Sequence, residues 1–262
     1  MIHSTALVDK SAEIGSGVEI GPYAVIGKRV KINDGTKIGP HSVIECAEIG
    51  KNCSIFSSVF IGSAPQDLKY RDEETKIVLG DNCIVRECVT LNRGTSAHGL
   101  TEIGSDCMFQ AYSHVGHDCV VGSGVIMSNC ATLAGHVSVG DNAIISGLVA
   151  VHQFVRIGRL AMVGGGAMVT LDIPPYCIAQ GDRAKLFGLN LVGLKRRGFT
   201  DSLMKEIKSA YRTIFFSGLV VSEAIAKIEM SVLSGEAKEF TDFIKGSKRG
   251  ITRPSGVSAA ED

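Results

Sequence analysis

From Ile103 onward every sixth residue is apolar: Ile103, Phe109, Val115, Val121, Met127, Leu133, Val139, Ile145, Val151, Ile157, Val163 and Val169. An α-helix repeats every 3.6 residues and a strand every two, so neither alone gives an unbroken period of six. A stack of short strands does, each contributing one inward residue, and such a stack is a solenoid. The period begins at Ile2 and runs through Val8, Ile14, Ile20, Ile26, Ile32, Ile38 and Ile44. It then slips by one residue to Ile49, Ile55 and Ile61 and rejoins the later register through Leu79, Val85 and Leu91. Val and Ile at the periodic site suit a buried strand. Gly often follows, as in Ile14-Gly15, Ile49-Gly50, Ile103-Gly104 and Val139-Gly140, and is expected to supply the positive φ of a tight corner.

Two stretches interrupt the period, Ser63 to Ile77 and Asn92 to Thr101. Insertions in a solenoid project from one corner and commonly build a binding surface. The period ends near Val169, and Asp172-Ile173-Pro174-Pro175 marks the boundary, because proline donates nothing to a ladder. After a transition to about Gly198 the pattern turns helical. Thr200 is a candidate N-cap for a helix carrying Leu203, Ile207, Tyr211 and Ile214, stopped near Gly218. Ser222 is expected to cap a second helix with Ala224, Ile225, Ile228 and Val232, closed near Gly235, and Phe240 to Ile244 a third. The expected division is a repeat domain over 1–187, a helical domain over 188–255 and a disordered tail over 256–262.

Lys and Arg number 27, and so do Asp and Glu, which gives no reason to expect nucleic acid or a membrane surface as the main partner. The start, Met1-Ile2-His3-Ser4, already carries the repeat, and no apolar run is long enough to insert in a bilayer, so the expected compartment is the cytoplasm. Of the eight cysteines, Cys53, Cys83, Cys107 and Cys119 each stand four residues after an apolar repeat position, where Ala143 stands in another unit. That slot takes a small buried side chain, and without a CxxC pair all eight are read as structural, in a reducing compartment.

Five strings give the chain a family resemblance: Gln66-Asp67-Leu68-Lys69-Tyr70, His114-Val115-Gly116-His117-Asp118-Cys119, Leu133-Ala134-Gly135-His136-Val137, Val151-His152-Gln153-Phe154 and Gly193-Leu194-Lys195-Arg196-Arg197-Gly198. In this order, before a helical tail, they resemble the hexapeptide-repeat acyltransferases, and within them the acyl-carrier-protein-dependent UDP-N-acetylglucosamine O-acyltransferases of lipid A biosynthesis. The resemblance implies an all-β left-handed parallel β-helix, triangular, with eighteen residues per coil, followed by a small α-helical domain. It also implies a homotrimer with sites between subunits and no cofactor or metal. The reaction would move a 3-hydroxyacyl chain from acyl carrier protein to the 3-hydroxyl of UDP-N-acetylglucosamine.

On an eighteen-residue coil, His117, Gly135 and Gln153 form one column and Asp118, His136 and Phe154 its neighbour, with His152 alongside. A sugar hydroxyl needs a base as it attacks, and His suits that near neutral pH. The resemblance gives this role to His117 and the oxyanion-binding N–H to Gly135, although a corner Gly also has a purely conformational explanation. Asp118 would orient His117, or merely fill an Asn/Asp slot seen at Asn52, Asn82, Asp106 and Asn142; adjacent strand residues face opposite ways, so pairing requires a corner. By the same resemblance His136, His152, Gln153, Gln66, Asp67 and Lys69 contact the sugar. Asn190 and Arg196 hold the nucleotide end, and Gly165 leaves room for a longer acyl chain. Lys195 and Arg197 would meet the carrier protein or simply be solvated. The other readings are a related N-acyl- or acetyltransferase, a metal-dependent carbonic anhydrase of this fold using His114, His117 and His136, and a non-catalytic binding solenoid.

Overall fold

The structure, a computed structural model, describes residues 1–230 and 233–255. Val232 and the expected tail over 256–262 lie outside the described residues. The repeat region is a left-handed parallel β-helix with three faces. The first face has nine strands, from Leu7–Val8 to Met168–Val169; the second has eight, from Glu13–Ile14 to Arg156–Ile157. The third, ten-stranded, starts at Glu19–Ile20 and ends with an antiparallel pair, Cys177–Gln180 with Lys185–Leu189. Most strands are two residues long, the second pointing inward, and this is the source of the six-residue period: Ile26, Ile44, Ile61, Leu91, Val115 and Leu133 all lie in the core.

Coil-to-coil pairing explains each irregularity of the period. His114, Thr132, Ala150 and Met168 pair in succession at eighteen-residue steps. Ile32 pairs with Ile49, seventeen residues on, because the corner between Ile44 and Ala47 is one residue short. Ile61 pairs with Leu91 and Leu91 with Val115, thirty and twenty-four residues apart, so both interruptions are loops leaving the edge between the first and second faces. Pairing also outlasts the period, since Cys177–Gln180 still continues the third face in parallel from Met162–Val163.

The glycines after the apolar positions do not supply the positive φ. That conformation falls two residues later, at Gly17 (φ 70°), Asn52 (55°), Asp106 (59°) and Asn142 (58°). The glycines themselves lie under the next coil: a Cβ on Gly50 would fall 2.4 Å from the carbonyl carbon of Gly80, and one on Gly140 would fall 2.5 Å from Arg159 N. Close backbone approach is therefore what excludes a side chain there.

The cysteines of the repeat slot are buried, and Cys53, Cys83, Cys107 and Cys119 donate to backbone carbonyls of the next coil at 3.1–3.3 Å. All eight are free thiols. Cys88 is half-buried and Cys130 exposed, both at positive-φ corners between the third and first faces, so burial in the slot does not account for these two.

Four helices follow among the described residues: α1 (Leu191–Arg196), α2 (Asp201–Phe216), α3 (Val221–Glu229) and α4 (Gly235–Lys245). Thr200 caps α2, accepting from Leu203 N, and the buried Ile207, Tyr211 and Ile214 form the expected face. Val220, not Ser222, precedes α3, and no side-chain bond caps that end. Gly235 opens α4 rather than closing α3, because Ser234 accepts from Ala237 N and so starts the helix there. Helix α1 escaped the sequence reading because six residues are too few to display a period. No helix among the described residues is long and apolar enough to cross a membrane.

Candidate active site

Between strands His114–Val115 and Val120–Val121 the chain turns from the first face to the second, with Asp118 at φ 58°. That left-handed corner breaks the strand alternation and brings the Asp118 carboxylate beside the residue before it. His117 Nδ1 lies 2.7 Å from Asp118 Oδ2. The slot of Asn52, Asn82, Asp106 and Asn142 belongs to the edge between the second and third faces. On Asp118's own edge the matching positive-φ positions carry Arg29, Cys46, His136 and Phe154. Asp118 shares the slot's backbone conformation but is not a copy of its side chain on that edge.

The Asp118 side chain is fully buried and held on every side. Thr95 donates to it twice, from N at 2.9 Å and from Oγ1 at 2.7 Å, while Asp118 N–H donates to Thr101 Oγ1 at 2.9 Å. Burial pushes the carboxyl up, but hydrogen bonds from His117 and Thr95 outweigh it and leave it below the usual range, ionised. A carboxylate only accepts, so the proton on neutral His117 sits at Nδ1 and Nε2 keeps its lone pair.

The His117 imidazole lies over Gly135, one coil on. A Cβ there would fall 2.5 Å from both Cε1 and Nε2. Gly135 is absent from the positive-φ residues, so contact with the imidazole, not backbone conformation, demands glycine. On the neighbouring edge the same corner position directs its N–H at the next coil: Ser16, Lys51 and Ser123 donate to Asp34, Asp81 and Asp141 at 2.7–2.8 Å. At Gly135 the residue one coil on is Gln153, and the Gly135 N–H has no acceptor among the described residues.

His136 closes the group. Its ring stacks on Phe154 at 4.7 Å between centroids, meets His117 edge-on at 5.1 Å and faces His98 at 5.7 Å. Burial, aided by His117 and His98 and opposed by Asp118, lowers its pKa. Burial also lowers that of His114, whose Nδ1 meets Thr90 Oγ1 at 2.7 Å. His117, Asp118 and His136 present ligand atoms within 4.8 Å of one another, a set without His114. Such a set could hold a divalent ion, but Asp118 is already spent on Thr95 and on orienting His117.

The two interruptions meet over this edge. Arg93 donates to Tyr70 Oη at 2.7 Å from Nη2 and to Gly62 O at 2.7 Å from Nη1, fastening the first loop to the second. Asp67 lies close enough for its charge to act on His136, with Gln66 and Lys69 exposed beside it. His152 is exposed, its Nδ1 near Arg249, and Gln153 is half-buried.

Three expected residues lie elsewhere in the single chain. Asn190 is buried, its Oδ1 accepting from Gly193 N at 3.0 Å and its Nδ2 donating to Leu160 O at 3.1 Å, so it caps α1 rather than presenting an open amide. Arg196 is exposed on that helix, which the Asn190–Leu160 bond anchors at the edge between second and third faces. Gly165 is exposed on the remaining edge, where a Cβ would meet only Gly147 O at 3.4 Å. Sequence reasoning missed Thr95, Thr101, His98, Arg93 and Arg249. The first four stand in the second interruption or at its end, which was the available signal, whereas nothing local marks Arg249.

Three family models match: one described as UDP-N-acetylglucosamine O-acyltransferase, domain 2, over residues 172–252, the bacterial transferase hexapeptide over 100–135 and the GMPPB C-terminal domain over 2–98. An acyl-[acyl-carrier-protein]–UDP-N-acetylglucosamine O-acyltransferase of Anaeromyxobacter dehalogenans is 46% identical over 255 residues, 96% of this chain and 99% of that one. A solved UDP-N-acetylglucosamine acyltransferase from Bacteroides fragilis is 42% identical with a TM-score of 0.94, covering 97% of this chain and 100% of its own. The Acinetobacter baumannii structure gives 41% and 0.94, covering 96% and 99%. At such identity over nearly the whole length, the chain belongs to the acyl-[acyl-carrier-protein]–UDP-N-acetylglucosamine O-acyltransferase family.

Proposed function

We propose that this chain transfers a 3-hydroxyacyl group from acyl carrier protein to the 3-hydroxyl of UDP-N-acetylglucosamine, the first step of lipid A biosynthesis. The observation that carries the chemistry is the buried Asp118–His117 pair stacked on Gly135. His117 Nε2 takes the proton of the sugar hydroxyl as its oxygen attacks the thioester carbonyl, and Asp118 stabilises the imidazolium that forms. The Gly135 N–H receives the oxyanion of the tetrahedral intermediate. Collapse breaks the carbon–sulfur bond, and His117 returns the proton to the departing thiolate of the carrier. His136, His152, Gln153, Gln66, Asp67 and Lys69 surround the sugar.

Arg196 pairs with the diphosphate, where a guanidinium fits best, and Asn190 acts by setting the start of the helix that carries it. Gly165 keeps the acyl groove open. Because these residues lie on other edges of the prism than His117, a complete site calls for a neighbouring copy, and a homotrimer supplies one. Free, mostly buried thiols fit a reducing cytoplasm. The test is incubation with UDP-N-acetylglucosamine and a panel of 3-hydroxyacyl carrier proteins, with products read by mass spectrometry. A nucleotide sugar carrying one acyl chain supports the reading; no product from any donor sinks it.

A further inference from the structure

The segment after α4 returns across the end of the prism. Asp172 N–H donates to Gly250 O at 2.9 Å, Thr252 N–H to Asp172 O at 2.8 Å and Leu186 N–H to Arg253 O at 3.0 Å. Ser247 Oγ adds a bond to Asp172 Oδ2 at 2.8 Å. Tied at these points, the strap brings Arg249 to the edge that carries His117 and Gly135. Its Nε donates to Thr170 O at 2.7 Å and its Nη2 lies 2.8 Å from His152 Nδ1.

A guanidinium has donors only and stays charged, so a ring nitrogen facing it must be the unprotonated one. The carbonyl of Gln153, 3.2 Å from the same Nδ1, would favour the opposite tautomer because it only accepts. One nitrogen cannot serve both. The shorter, charge-assisted contact wins, and the proton of neutral His152 sits on Nε2.

We propose that Arg249 is a positioning residue of the acyl-transfer site, fixing His152 as its Nε2–H tautomer so that it presents a hydrogen-bond donor to an oxygen of the bound substrate. The proposal rests on the reading of His152 as a substrate contact. It makes the two imidazoles of this edge complementary: Asp118 holds the His117 proton at Nδ1 and leaves an acceptor, whereas Arg249 leaves His152 a donor. It also makes the C-terminal strap, remote in sequence, part of the site.

The experiment is long-range ¹H–¹⁵N correlation of the histidine rings at pH 8 in the full chain, for wild type, Arg249→Met and Arg249→Lys, with His152→Asn to assign the signal. The expected result is Nε2–H in wild type, loss of that preference in R249M and its return in R249K, since lysine also only donates. In turnover, R249M should lose about tenfold in kcat/KM, the size of one net hydrogen bond, with R249K recovering most of it. The H152N/R249M double variant should be no worse than H152N. An Nδ1–H ring in wild type, with H152N impaired, overturns the role of Arg249 and leaves His152 as a contact. Activity lost in R249M with the tautomer unchanged also overturns it, in favour of a merely structural strap. An Nε2–H ring with H152N fully active removes His152 from the site and the proposal with it.

Discussion

Gly135→Ala separates the catalytic account from a purely architectural one. The added methyl would sit 2.5 Å from Cε1 and Nε2 of His117, about 1 Å inside ordinary contact, and it meets the imidazole rather than backbone. Since φ at Gly135 is not in the left-handed region, the backbone itself accepts alanine. The strain falls on the ring, which must leave its place over residue 135 and with it the 2.7 Å bond to Asp118. A displacement of about 1 Å at a reacting group costs roughly 10² in rate, so G135A should lose on the order of a hundredfold in kcat/KM. The contrast is Gly116→Ala, whose Cβ would lie 2.8 Å from the backbone of Ala134 and Gly135 and should lower thermal stability. Initial rates with acyl carrier protein donors, alongside the melting temperature of each variant, distinguish the two. Near-wild-type activity in G135A would refute the argument that His117 works from its position over Gly135, and a G135A protein that fails to fold would refute the argument that the conflict is with the ring alone.

Thr95→Val keeps the shape but removes one hydrogen bond to the buried Asp118 carboxylate. It should cost about 1.5–3 kcal/mol in urea unfolding, because the acceptor is charged. Asp118 is held below its ordinary pKa, so its stabilisation is present above about pH 4 and lost on further acidification; T95V should lose resistance to acid. His114 and His136 are lowered mainly by burial, so the unfolded chain takes up their protons first. Their contribution is complete above about pH 6.5 and is lost as pH falls through the depressed folded values, so the urea midpoint should drop between pH 7 and pH 5. A flat midpoint over that range would contradict the burial of these two rings.

The solenoid was legible because each two-residue strand from Met108–Phe109 to Met168–Val169 contributes one core residue, and the core admits no exceptions over Ile103 to Val169. The columns at eighteen-residue steps placed His117, Gly135 and Gln153 correctly above one another, since the pairing of His114, Thr132 and Ala150 keeps that step. The corner glycines were misread because the sequence pattern does not distinguish a residue that needs positive φ from one pressed by the next coil. Asp118 could not be resolved from sequence: its backbone conformation recurs on another edge, and only the three-dimensional corner shows which edge it serves. Thr95 and Arg249 stayed hidden because they reach the site from a loop and from a strap 97 residues beyond His152, with no periodicity linking them to it. The start of α3 was displaced because packing against α2 and α4, rather than a cap, fixes it.

The central claim is that His117, oriented by Asp118, removes the proton from the acceptor hydroxyl. It is tested most directly by the single-turnover rate of acyl transfer for His117→Ala against wild type, with folding checked by circular dichroism. The account predicts a folded variant that forms the same monoacylated product roughly 10²–10⁴ times more slowly. A folded variant transferring at the wild-type rate would contradict it.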